Sequence, residues 1–171
     1  MKHAYTFPFE QLILKPLEEA DIEQLRLLRN REKQFFITQA EIDGPSQKRW
    51  YESYLNKAGD IMFKLVRATE PDQFIGAIAL YDISLENHSA EFGRLIGDKE
   101  LVLEKGVGLQ AVKAICGFGF EVLKLETIVC EVLKSNTRAF RVYLKAGFRT
   151  IEEGENCYRM EWKRPQKQTG E

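Results

Sequence analysis

One arrangement limits the possible folds more than any other: an apolar run, Ala90 to Ile96, then Glu104-Lys105-Gly106-Val107-Gly108, then a long helical stripe. The stripe carries Ala111, Ile115, Phe118 and Val122 at four-, three- and four-residue steps, the spacing of one buried helix face. A second apolar, β-branched run, Glu126 to Leu133, follows. Strand, helix and strand in that order form a crossover, which makes the two strands parallel. The glycines sit at the start of the helix, where amides are free and the helix dipole favours an anion. Glu104 to Leu109 would fit a pyrophosphate, but a GxG helix start also arises from close packing, and the local motif does not choose between them. Neither GxGxxG nor GxxxxGK[ST] occurs here, so dinucleotide and NTP binding lose support.

Upstream, Gln11 to Lys15 reads as a strand closed by Pro16. Asp21 and Gln24 form a capping-box pattern for a helix carrying Ile22, Leu25 and Leu28 and running to about Arg31. Asp43-Gly44-Pro45 is a turn, and Ser46 is placed to cap a second helix that bears Trp50, Tyr51 and Tyr54. Ile61 to Ala68 and Gln73 to Asp82 read as a hairpin. Downstream, Ser135 and Asn136 precede a short helix that pairs Ala139 with Tyr143 and Phe140 with Leu144 and stops at Gly147. Cys157 to Lys163 is a last strand, and 164–171 is polar enough to be a tail.

Charge and cysteine content exclude several function classes. The 25 basic and 26 acidic residues give a formal charge of -1, so no domain-wide positive field is available for nucleic acid. Cys116, Cys130 and Cys157 are odd in number and lack CxxC spacing, against a disulfide framework and a zinc site. His3 and His88 are isolated, so they make neither a metal site nor a triad, and both are expected in solvent. No stretch has the length of a membrane span or a signal peptide, so the reading is a cytoplasmic chain with no membrane partner.

The order Ala90-Glu91-Phe92-Gly93-Arg94, Lys105-Gly106-Val107-Gly108, Asn136-Thr137-Arg138-Ala139 with Tyr143, and Ala146-Gly147-Phe148 resembles the GNAT acetyltransferase superfamily. The likeness runs from about Leu12 to Trp162 and is greatest to the ribosomal-protein alanine acetyltransferases and the amino-sugar acetyltransferases of the pseudaminic acid pathway. It implies one α/β domain over residues 1–171: a mixed, mostly antiparallel twisted sheet of six to seven strands, helices on both faces, and two central strands splayed. It also implies acetyl-CoA as co-substrate, no metal, a small-molecule or peptide amine as acceptor, and a homodimer as a common assembly.

By the same resemblance, the pantetheine arm lies beside the strand ending at Leu95 and Ile96 and the pyrophosphate takes the loop amides of Glu104, Lys105, Gly106, Val107, Gly108 and Leu109. Asn136, with Ala139, holds the arm. Where relatives usually carry Arg or Gln three residues before the first loop glycine, this chain has Leu103, and Lys105 is placed to supply the charge. Tyr143 is the candidate general acid, because a phenol with a pKa of about 10 can protonate a departing thiolate. Its plain alternative is a packed core aromatic. Glu91 is the candidate base for the amine's proton, its alternatives being a solvent-facing strand residue or an ion-pair partner of Arg94. Trp50, Tyr51 and Tyr54 read either as acceptor-pocket lining or as core, and Arg26, Arg29, Arg31 and Lys33 either as a surface for a phosphorylated acceptor or as a solvated helix face.

Overall fold

The computed structural model describes residues 2–99 and 105–165. Each strand forms where apolar residues alternate, or run unbroken, between turn residues. They are β1 (Phe7–Phe9), β2 (Leu12–Pro16), β3 (Ile61–Arg67), β4 (Gly76–Ser84), β5 (Ser89–Gly97), β6 (Thr127–Leu133), β7 (Arg149–Glu153) and β8 (Cys157–Lys163). They form one sheet in the order β1-β2-β3-β4-β5-β6-β8-β7. The expected single parallel pair is present: β5 and β6 run parallel, joined through the helix α3 (Val107–Glu121), and the other neighbours are antiparallel.

The sheet has eight strands rather than six or seven. The additional elements carry weak sequence signals. β1 is three residues long with Pro8 at its centre, and β7 is exposed at all five positions, so neither shows a buried alternation. Three helices complete the described fold: α1 (Ile22–Arg31), α2 (Gly44–Asn56) and α4 (Thr137–Ala146).

Both N-terminal helices are capped differently from the expectation. Asp21 closes a capping box with Glu18 around the 3-10 turn Glu19–Asp21, accepting from the Glu18 amide at 2.8 Å, while Lys64 bridges the two carboxylates at 2.8 and 3.0 Å. Asp43, not Ser46, caps α2. Its carboxylate accepts from the Ser46 amide at 2.6 Å, and Pro45 occupies the first turn, where a missing N–H costs nothing.

Two apolar clusters cover the two sheet faces. One joins Leu14, Phe63, Ile78, Leu80 and Phe92 to Ala111, Ile115 and Phe118 of α3 and Tyr143 of α4; the other joins Met62, Ala77, Ala79 and Ile96 to Leu25, Leu28, Tyr51 and Tyr54 of α1 and α2. Two positions of the predicted stripes fall outside the core. Val122 follows the end of α3 and is 43% exposed, and Leu144 is 45% exposed because the buried side of α4 carries Tyr143 and Ala146. His3 is also half-buried rather than solvated: Nε2 lies 3.0 Å from the Met62 carbonyl and the ring packs edge-on to Phe63.

β5 changes face midway. Phe92 belongs to the first cluster and Ile96 to the second, although residues four apart on a regular strand share a face. The cause is a bulge. The β4 register steps from Ala79↔Gly93 to Ala77↔Ile96, and Arg94 takes φ +52°. Its guanidinium donates to both oxygens of buried Asp60 at 2.7 and 2.9 Å, a bidentate pair that fixes the bulge against the start of β3.

Because truncating one partner leaves a buried charge uncompensated, Arg94→Met is expected to lower stability by about 2 kcal/mol, discounted because Arg94 is partly exposed and Lys57 stays nearby. Urea unfolding measures this. A loss below about 0.5 kcal/mol would show that Asp60 does not depend on Arg94.

Candidate active site

The backbone builds this site before any side chain does. β6 pairs with β5 only at Ser89↔Thr127, Ala90↔Ile128 and Glu91↔Val129, whereas β4 stays with β5 to Gly76↔Gly97. Beyond Glu91 the two parallel strands therefore part, and β6 continues with β8 to Leu133↔Cys157. This is the expected splay. The edge of β5 facing β6 from Phe92 onward, including Leu95 and Ile96, is available to groups that can pair like a strand.

The start of α3 lies in the same crossover connection. Gly106 is its N-cap at φ +96°, a conformation that costs a residue with Cβ, and no side chain caps the helix. Among the described residues, a Cβ added at Gly106 or Gly108 would meet nothing within 4 Å, so no described neighbour requires either glycine for close packing. Val107 is buried, Gly108 and Leu109 are half-buried and Lys105 is exposed. Leu103 and Glu104 lie outside the described residues.

Asn136 caps α4 by accepting from the Ala139 amide at 3.1 Å. That uses one lone pair of its side-chain oxygen, leaving the second lone pair and the amide nitrogen for an arm lying beside it. Seven residues on, Tyr143 is buried at 8% exposure, with its ring edge-on to Phe92 at 5.1 Å and 6.0 Å from Phe148. None of the hydrogen bonds found among the described residues involves its hydroxyl. Burial pushes this phenol above its ordinary value, with smaller contributions from Cys130 and Tyr81, so it stays in the proton-donating form well past neutrality.

Glu91 is partly buried on the opposite sheet face, in register with Tyr81, whose hydroxyl donates to Glu91 Oε1 at 2.9 Å. The alternative pairing with Arg94 is not made, because Arg94 is taken by Asp60. Tyr81 was not singled out from the sequence. Its link to Glu91 depends on the hairpin register, and the one local signal was Gly93, where an added Cβ would lie 2.7 Å from the Tyr81 hydroxyl.

The remaining candidates resolve into structural roles. Tyr51 and Tyr54 are core residues, and half-buried Trp50 stacks on Tyr54 at 5.6 Å. The basic run is engaged internally: Arg26 with Glu23 at 2.6 Å, Arg29 over Phe36 and with the Thr38 carbonyl, Arg31 with Asp98 at 3.0 Å, and Lys33 with Glu41 at 3.7 Å. Each of the four thus has a partner within the chain, while Arg29 Nη1 is buried with none among the described residues. Cys116 and Cys130 are buried and Cys157 is half-buried. Among the described residues no group of His, Cys, Asp or Glu could hold a metal ion, and no helix is long and apolar enough to cross a membrane.

Tyr51, Tyr54, Tyr81 and Tyr143 all have phenols raised by burial, Tyr54 to about 12. An unfolded tyrosine ionises near pH 10, so above that the native state holds more protons than the unfolded state and stability falls as pH rises. Absorbance at 295 nm should show these four ionising only as the chain unfolds. Reversible ionisation of all six tyrosines by pH 11 with the fold intact would contradict the burial.

A family model described as an acetyltransferase (GNAT) domain matches residues 11–149. The acetyltransferase PseH of Campylobacter jejuni is 33% identical over 89 residues, which cover 52% of this chain and 53% of PseH; the match thus spans about half of that relative's length. The crystal structure of PseH with acetyl coenzyme A superposes at a TM-score of 0.71 and 25% identity, over 90% of this chain and 99% of that one. Apo FdhC, a nucleotide-linked sugar GNAT, gives 0.80 at 24% identity, over 94% and 91% of the two chains. The spermidine N-acetyltransferase of Vibrio cholerae, in complex with CoA and spermine, gives 0.78 at 22% identity, over 89% and 95%. At these identities the last two speak for the fold.

Proposed function

This chain belongs to the GNAT acetyltransferase family, and from that premise we propose that it transfers an acetyl group from acetyl-CoA directly to a primary amine in a ternary complex, the amine being carried on a nucleotide-linked amino sugar. The observation that carries the reading is the parting of β5 and β6 after Glu91 and Val129, beside a helix start with open space over Gly106 and Gly108. Those features fit the two halves of the co-substrate. An amide-bearing arm can pair along Phe92 to Ile96, and a pyrophosphate can take the amides of Lys105 to Leu109 at the positive end of the α3 dipole.

Acetyl-CoA supplies a thioester, whose acyl carbon accepts an amine and whose sulfur leaves. Glu91 takes the proton that the amine must lose, directly or through a water. Tyr143 holds a proton at Oη and gives it to the sulfur as the C–S bond breaks. A backbone amide near Leu95 or Ile96 stabilises the charge that develops on the carbonyl oxygen. No residue is acylated, because none of Cys116, Cys130 and Cys157 lies at a motif position.

The choice of a nucleotide-linked amino sugar draws on the resemblance of the Trp50 helix and Phe92-Gly93-Arg94 to that branch, on PseH, and on FdhC. The internally paired basic run lends it no support. A protein N-terminal amine and a polyamine are the competing acceptors, and a non-catalytic acetyl-CoA-binding module is the competing function. An assay of CoA thiol release with a UDP-linked amino sugar, an alanyl peptide and spermidine separates them. Turnover with the sugar alone is the expected result, turnover with another acceptor reassigns the substrate, and none with any amine leaves the binding module.

Two substitutions test the machinery. Tyr143→Phe should cut kcat at least about tenfold while acetyl-CoA affinity, measured by calorimetry, stays within about twofold. Unchanged turnover would remove Tyr143 as the acid. Gly108→Val places a side chain in open space, so the fold should be unaffected while acetyl-CoA affinity drops at least about tenfold, or 1.4 kcal/mol. Wild-type affinity in that variant would move the pyrophosphate away from this loop.

A further inference from the structure

We propose that Tyr81 is a positioning residue for Glu91: its hydroxyl fixes the carboxylate in the orientation from which it takes the amine's proton, and Gly93 and Arg94 fix the ring of Tyr81. The proposal rests on the reading of Glu91 as the base.

Tyr81 and Glu91 are direct partners in the β4–β5 register, so their side chains rise from the same face. The bond of 2.9 Å goes to Oε1, and among the described residues no other donor reaches the carboxylate. Oε2 therefore keeps its lone pairs for the incoming proton. A glutamate on a strand has several rotamers, and a single charge-assisted bond from a rigid phenol selects one.

The ring is held from two sides. The Arg94 guanidinium lies 4.6 Å from its centroid and is itself clamped by both oxygens of Asp60. On the other side the phenol lies across the backbone at Gly93, where an added Cβ would come 2.7 Å from Oη and 3.0 Å from Cε1. Two successive residues of β5 thus serve one side chain of β4. A tyrosine that merely filled space would need neither the glycine nor the bulge beside it. Burial also keeps the phenol protonated through the range in which the amine reacts.

Several titratable and charged groups lie near Glu91. Tyr81 comes from β4 and Cys130 from β6, while Arg94 of its own strand and Asp82 of β4 lie around the Tyr81 hydroxyl. Glu161 of β8, paired with Arg149, lies in the same row beyond Val129. Of these, Tyr81 is the one hydrogen-bonded to the carboxylate. Removing that donor frees the carboxylate to sample its other rotamers, so the effect falls on its orientation toward the amine.

Steady-state kinetics on the full chain, with the acceptor among the three amines above that supports CoA release, test this through a split between kcat and KM. Tyr81→Phe should lower kcat at least about fivefold while the KM for acetyl-CoA stays within about twofold, and Gly93→Ala, which displaces the phenol, should act the same way. An unchanged kcat in whichever variant folds overturns the proposal. If kcat falls in Tyr81→Phe but Glu91→Gln retains wild-type kcat/KM, the base assignment fails instead and takes the catalytic meaning of the Tyr81 contact with it.

Discussion

A strand in the middle of a sheet satisfies its backbone by lying between two neighbours, and β5 is denied one of them for half its length. It has β4 along its whole run and β6 only up to Glu91. Strand groups without a neighbour must pair with water or with another group of complementary shape, and on the proposed reading the amide-bearing arm of the co-substrate supplies that partner. The parting follows from topology. β5 and β6 are the one parallel pair in the sheet, and β6 continues with its antiparallel partner β8 past the point where the bulge shifts the β4–β5 register.

That bulge is held by charge. Asp60 is nearly inaccessible at 2% exposure, and Arg94 reaches it with two hydrogen bonds while its own backbone sits in the left-handed region. Neither feature is cheap alone: a buried carboxylate is expensive without a partner, and a non-glycine residue at φ +52° carries strain. Together they lock the register shift that sends Phe92 to one core and Ile96 to the other. A core aromatic contact then carries the effect to α4, since Phe92 is the ring against which Tyr143 packs.

The crossover was legible because its signals are long and local: an apolar run, two glycines, and Ala111, Ile115 and Phe118 at helical spacing. The same holds for Asn136 and Gly147 at the ends of α4, where one side-chain cap and one helix stop each act within four residues. Pairings that depend on register across the sheet were not legible. Nothing in Glu91 announces Tyr81 as its donor, and nothing in Arg94 announces Asp60, because each partner sits on a different strand or turn. The basic run stayed open between two readings for a related reason: Glu23 is a local partner three residues from Arg26, but Glu41 and Asp98, which pair with Lys33 and Arg31, lie further along the chain and meet them only on folding.

Amine acetylation moves two protons in opposite senses, one off the nucleophile and one onto the leaving sulfur. A single side chain that took the first proton and passed it on would end each turnover as it began, whereas two side chains end with the base protonated and the acid ionised and exchange a proton with solvent before the next turnover. In the proposed assignment Glu91 and Tyr143 would separate the tasks by environment: a carboxylate held by a hydrogen bond on the α1–α2 side of the sheet, and a phenol kept protonated by burial on the α3–α4 side. The gap between β5 and β6 is where those two faces communicate. A thioester lying along the open edge of β5 would meet an amine from one side and a proton donor from the other, so in this reading the directions of both proton transfers are set by the sheet itself, through which face each residue occupies.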